Sequence, residues 1–239
     1  MNPPDNRVRL NNMGGVSHTR PLLRSTAGIL SATLLLSLPS LGMETPLSDE
    51  AVREAYFLGQ RHEQDLSDLL AQYKTPLPMP ESGPYISSVT LYTPFALVAQ
   101  LSSQRTMNYS AQQAEADHRK HPEIVRVIIQ IQLTESYPAL IPRPQDPHTG
   151  SPIGYEQRPS DFWKDFQVAV LVKDQSLPPL DASGDPTYSC DTYGSCTLTG
   201  ATLQFDYPAD AFTSNSATIQ ITPPESDLVS VDFDLARLR

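Results

Sequence analysis

The chain has 239 residues, with 17 Lys+Arg against 27 Asp+Glu, a formal net charge of −10, 23 prolines and two cysteines. So acidic a balance argues against nucleic acid as a partner, because phosphate binding rests on clustered cations. The length allows one large or two small domains with a self-sufficient core, and no residue pattern implies a cofactor.

In chain order the first feature is an export signal. Arg7, Arg9, Arg20 and Arg24 precede the apolar block 27–41, and Ser40 and Gly42 put small residues at the −3 and −1 positions of a signal-peptidase site. The block falls short of the roughly 20 residues that cross a bilayer and is interrupted by Ser31, Thr33, Ser37 and Pro39, so cleavage after Gly42 is expected rather than retention. Met13 is an alternative start that leaves a shorter basic arm. Neither a nearby Cys for a lipid anchor nor a twin-Arg pair is present. The segment 1–42 therefore reads as a signal peptide, and the mature chain as periplasmic or secreted, with no stable membrane insertion.

Residues 48–74 carry Val52, Ala55, Tyr56, Gly59, Leu66, Leu69, Leu70 and Tyr73 at helical offsets, which predicts an amphipathic helix capped near Thr45 or Ser48 and stopped before Pro76. Its stripe is interrupted at His62 and Glu63, where either the helix bends or its face leaves the core. A strand is predicted over 85–92. Thr93-Pro94 then opens a short helix over 95–101. Ser110 with Gln113 makes a capping box for a helix over 111–120, which Pro122 stops.

From Ile124 the period changes to two. Val125, Val127, Ile129, Ile131 and Leu133 alternate with other residues, and the same alternation recurs at 166–172, 201–207, 217–221 and 229–235. The intervening residues are mostly polar, which favours antiparallel pairing with one wet face, the last three strands following as a meander. The predicted architecture is α+β: an antiparallel β-sheet or β-sandwich-like domain with N-terminal helices packed on it. A helix-rich segment 43–122 with one strand and a mainly β segment 123–239 would share one core. Segments 135–164 and 175–197 receive no assignment.

Candidate sites are few. Cys190 and Cys196 lack the C-x-x-C spacing of redox or metal pairs and read as one disulfide. Tyr155, Phe162, Trp163 and Phe166 border the Pro-rich stretch 135–164, where aromatics can stack on a sugar or fill a partner's pocket. His118 and His121, flanked by Asp117 and Glu123, lie at a helix end where two imidazoles can share a metal ion. Tyr56, Gly59, His62 and Glu63 form a helical notch, and Gly admits close approach to a backbone. Asp181, Ser183, Asp185 and Asp191 place oxygens as a Ca²⁺ loop does, without the glycine and glutamate of an EF-hand. Asn108-Tyr109-Ser110 is a glycosylation sequon.

No G-x-S-x-G, S-x-x-K, phosphate loop or dinucleotide fingerprint occurs. The expectation is therefore a non-enzymatic exported binding or structural module whose partner is an unknown protein or glycan. A small hydrolase using a His/carboxylate cluster, with or without a metal, is the alternative. A further possibility is that the amphipathic helix docks on a partner.

Overall fold

The computed structural model describes residues 43–61, 63–105, 109–143, 148–150, 154–224 and 227–239. The expected export signal 1–42, His62 and Asn108 lie outside them. Among the described residues there are four helices and eleven strands, and every strand pairing is antiparallel.

Ser48 starts α1 (Asp49–Gln60): its hydroxyl accepts the Ala51 N–H, and Asp49 and Glu50 place negative charge in the first turn, where the helix dipole favours it. The single helix expected over 48–74 is two. Arg61 leaves the helical region, and α2 (Glu63–Ala71) starts afresh. The break follows from the burial each half seeks. Ala51, Val52, Ala55 and Gly59 of α1 are buried, whereas α2 bridges two clusters: Leu66 packs on the helices' own cluster, Leu70 on the sandwich core and Leu69 on both. Thr93 caps α3 (Pro94–Gln104), with Pro94 at the first position, where its missing N–H costs nothing. The capping box at Ser110 and Gln113 opens α4 (Ala111–His118), which ends two residues before the expected limit.

The larger sheet has the order β1 (Lys74–Pro76), β2 (Tyr85–Tyr92), β3 (Ile124–Gln132), β9 (Cys196–Pro208), β8 (Asp181–Cys190). The smaller has β11 (Val229–Asp234), β10 (Ser216–Thr222), β6 (Gln167–Val172), β7 (Gln175–Leu177), and a separate hairpin joins β4 (Leu140–Pro142) to β5 (Tyr155–Gln157). Register lines up Leu91, Val127 and Phe205 in one row and Val89, Ile129 and Leu203 in the next. On the other sheet Val170, Ile219 and Val231 form a row. Buried residues from these rows belong to one apolar cluster, so the two sheets face each other across a shared core. On the opposite face of the larger sheet Arg126 donates to both Asp206 oxygens at 2.7 and 2.8 Å across the β3–β9 pair, which pins their register.

The last three strands do not form a meander. β9 pairs with β3 and β8, while β10 lies in the other sheet between β6 and β11. Pro208, the 3₁₀ turn Ala209–Ala211 and the buried ring of Phe212 turn the chain from one sheet to the other. Pro76 on β1 and Pro186 on β8 sit on the edge strands of the larger sheet, where a missing N–H does not break a ladder and discourages further pairing, and Pro208 is the last residue of the interior strand β9.

The helices bury a second cluster built on Val52, Ala55, Phe95 and Ala99. Arg239 fastens it to the sandwich. Its guanidinium donates to both Glu54 oxygens and lies 4.6 Å from the Phe95 ring centre, while its carbonyl accepts the hydroxyls of Tyr73 and Thr93. Among the described residues no helix is long and apolar enough to cross a membrane.

Candidate functional site

The four aromatics of the Pro-rich stretch do not make one surface. Phe162 and Phe166, at 3% and 6% exposure, lie in the sandwich core with their rings edge to face, so they are packing residues and not contact residues. The reason is the 3₁₀ turn Phe162–Asp165, which points both rings inward and leaves Lys164 and Asp165 outside. Trp163 lies against β8 at Gly184, where an added Cβ would come within 2.4 Å of the indole. Tyr155 alone is solvent-facing, at 63% exposure on the β4–β5 hairpin.

The helical notch is also filled from within. A Cβ on Gly59 would sit 2.2 Å from the Ala99 carbonyl oxygen, so the glycine lets α3 cross α1 closely. The oxygens expected as a Ca²⁺ loop are spread along β8, with Asp181, Ser183 and Asp185 in ladder register with β9, and Asp191 beyond its end. Extended backbone separates these side chains instead of wrapping them around an ion.

His118 and His121 part company at the end of α4. His118 Nε2 lies 2.8 Å from Glu123 Oε1, and both side chains are largely buried, whereas His121 is exposed. Glu123 also accepts the Leu47 N–H at 2.7 Å on Oε1 and the Thr45 hydroxyl at 2.9 Å on Oε2. Among the described residues no group of three His, Cys, Asp or Glu is placed to hold a metal ion. The structure thus sets His118 against Glu123 and leaves His121 apart in solvent. The contact between His118 and Glu123 was not legible in the sequence, because the five-residue step between them spans the helix stop at Pro122, where helical spacing rules no longer apply.

No protein-family model matches this chain, and no curated protein matches it.

Chemistry therefore has to be read from the arrangement. Glu123 fixes the imidazole of His118 as carboxylates fix histidines in proton-transfer sites, but its remaining donors come from the backbone and Thr45, and no described hydroxyl or thiol bonds His118. The pair stands between two concavities. One, of about 210 Å³, runs between α3 and α4 and is walled by Leu97, Val98, Leu101 and Ile124; the other, about 570 Å³, is more polar and opens toward Asp49, Arg119 and Asp210. Burial, with the Asp117 carboxylate next in effect, pushes the Tyr109 phenol at the first cleft above its ordinary value, which keeps it a hydroxyl.

The feature that sequence reading left without an assignment is the tip of the β8–β9 hairpin. The disulfide Cys190–Cys196 joins residues directly opposite each other in the ladder. Asp191 orders the turn: its carboxylate accepts the N–H groups of Tyr193 and Ser195, each at 2.9 Å, and its own N–H donates to the Ser195 carbonyl. Residues 187–197 are exposed without interruption, and Tyr193 at the tip is 95% exposed. The run of Ser, Thr, Asp and Gly hides this finger from pattern reading, and the Cys spacing is its one signal.

Proposed function

We propose that this chain is an exported, non-enzymatic binding module that meets a protein or glycan partner through the β8–β9 finger. The observation that carries the reading is Tyr193, held almost fully in solvent on a turn that a disulfide and four hydrogen bonds of Asp191, one of them from the Gly194 N–H to its carbonyl, keep in one shape. An aromatic offered on a pre-ordered turn supplies contact area at small entropic cost on binding. Tyr188, on the same finger, and Tyr155, on the β4–β5 hairpin, are exposed too. Support for export comes from the basic arm, apolar block and small residues of 1–42, and from a disulfide, which persists in oxidising compartments.

The test compares the mature protein with a Tyr188→Ala/Tyr193→Ala variant on a glycan array and against extracytoplasmic proteins of the source cell. Saturable binding by the parent that drops at least tenfold in the variant, with an unchanged circular dichroism spectrum, is the expected result. Equal binding by both would overturn the finger as the contact.

A second reading, a small hydrolase, has one observation in its favour: the 2.8 Å contact between His118 and Glu123 beside an apolar cleft. Turnover of p-nitrophenyl butyrate that disappears in His118→Gln would promote it above the binding reading.

A further inference from the structure

β8 is the outermost strand of the larger sheet and pairs with β9 alone. An antiparallel strand turns the N–H and C=O of every second residue to the same side, so an edge strand holds half of these groups out for another chain. The other edges are poorer templates. β1 and β7 have three residues each, and on β11 the carboxylates are taken, Asp232 by the Thr218 hydroxyl at 2.6 Å and Asp234 by Arg237 at 3.0 Å. β8 runs for ten residues, and all of them except Gly184 and Pro186 are exposed.

Pro186 shows which residues face the open side. Proline has no N–H to give to β9, and on an edge strand its nitrogen takes the solvent side. The register runs unbroken from Asp181 to Thr187, so Ala182 and Gly184 turn the same way and offer two N–H and two C=O groups. Side chains alternate between the faces. Ala182 and Gly184 lie across from Phe205 and Leu203 on the core face, where the Trp163 indole covers Gly184. Asp181, Ser183 and Asp185 lie across from Asp206, Gln204 and Thr202 on the outer face, and all three are exposed.

Charge selects the occupant. On the outer face Arg126 is held by both Asp206 oxygens, with Asp181 adding to its field, so Asp181, Asp185 and Asp206 set three carboxylates against one guanidinium. Lys74 donates to Gln130 on β3, two strands inward, and Lys164, on the Trp163 side, pairs with Asp161 at 3.0 Å. A second copy paired antiparallel about Ser183 would set each Asp181 against the other copy's Asp185, and like charges directly opposite destabilise a sheet.

We propose that the 181–185 stretch of β8 takes up an extended basic peptide as a sixth, antiparallel strand of the larger sheet, bonded through Ala182 and Gly184, with cations four residues apart facing Asp181 and Asp185. Midway between the cations a small polar residue faces Ser183, and the two residues beside it are apolar, lying on the Trp163 side. This pairing does not rest on the finger, whose uninterrupted exposure begins beyond Pro186.

The experiment titrates the isotope-labelled protein with the capped peptide Ser-Lys-Val-Thr-Val-Lys-Ser, with the same peptide carrying Glu for both lysines, and with a form N-methylated at both valines. Trp163 emission and the amide resonances of Ala182 and Gly184 are followed. The expected result is saturable binding of the lysine peptide that shifts both signals and slows exchange of the two amides. The glutamate and N-methylated forms are expected to bind at least about tenfold more weakly, the equivalent of one hydrogen bond or more. Ala182→Pro, which removes an N–H on the open side, is expected to abolish binding. Asp185→Lys, at an exposed position, is expected to remove the preference for lysine and keeps the proposal testable should the proline variant fail to fold. Equal binding of the N-methylated or the glutamate peptide, or no saturation with the lysine peptide, would each overturn it. So would a dimer in sedimentation that Ala182→Pro dissolves, which would give the edge to a second copy.

Discussion

Gly184 matters because of what occupies the place of its side chain. The indole of Trp163 lies where a Cβ would be, and no second tryptophan exists in the chain. Gly184→Ala is therefore expected to lift the indole from β8, at a cost of about 1–3 kcal/mol for overpacking. The measurement is a red shift of tryptophan emission in the native protein together with a lower urea midpoint; an unshifted spectrum would show that the strand, not the ring, gives way. Neither partner announced the contact in the sequence, since a glycine amid Asp, Ser and Pro reads as a turn. The same holds for Glu123, whose three bonds tie the stretch at Thr45 and Leu47 to α4. In the sequence Glu123 merely flanks two histidines, because proximity along the chain is visible there and the direction of its carboxylate is not.

At the level of elements, caps were legible and irregular strands were not. Ser110 and Gln113 satisfy two otherwise orphaned N–H groups, at 3.3 and 2.8 Å, by a rule written in four consecutive residues. Ser110→Ala is expected to cost about 1 kcal/mol, read as a lower thermal midpoint with faster amide exchange confined to α4. β8 escaped because an edge strand exposed on most of its length has no dry face to impose alternation, so DASGDPTYSC shows no period of two. Its finger gives a further prediction. Replacing both cysteines with serine is expected to cost at most the roughly 2 kcal/mol of a small closed loop, because the tip frays without opening the core. Hydrogen exchange should then quicken over 188–197 while β3 and β10 keep their protection.

The whole molecule responds to alkali through its buried phenols. Burial pushes Tyr207 up from 10.0 to about 12 and raises Tyr73 as well. In the unfolded chain both ionise near pH 10, whereas the fold holds them neutral. Their contribution is thus fully present below pH 10 and is lost as pH rises toward 12, since the unfolded state then binds fewer protons. The urea midpoint is expected to fall across that interval, and Tyr207→Phe to remove roughly 1–2 kcal/mol of the fall while leaving stability at neutral pH nearly unchanged. An identical alkaline slope in the variant would mean that Tyr207 does not titrate with unfolding. Both tyrosines sit in the cluster that unites the sheets, so this readout follows the sandwich and not the helices alone.

The sequence alone set what neighbouring residues can settle among themselves: the bounds of β2, the two-residue period of β3, β10 and β11, the starts of α3 and α4, and the pairing of Cys190 with Cys196. Each follows from backbone geometry or from partners a few residues apart. Tertiary structure decided the rest: that β10 leaves β9 for the other sheet, that Phe162 and Phe166 face inward while Tyr193 faces out, and that Glu123 holds His118. Such outcomes turn on contacts between residues distant in sequence, or on the direction the chain takes after a proline stop. A local pattern fixes the shape of a segment, but which of its sides stays wet is set by the elements that come to lie against it.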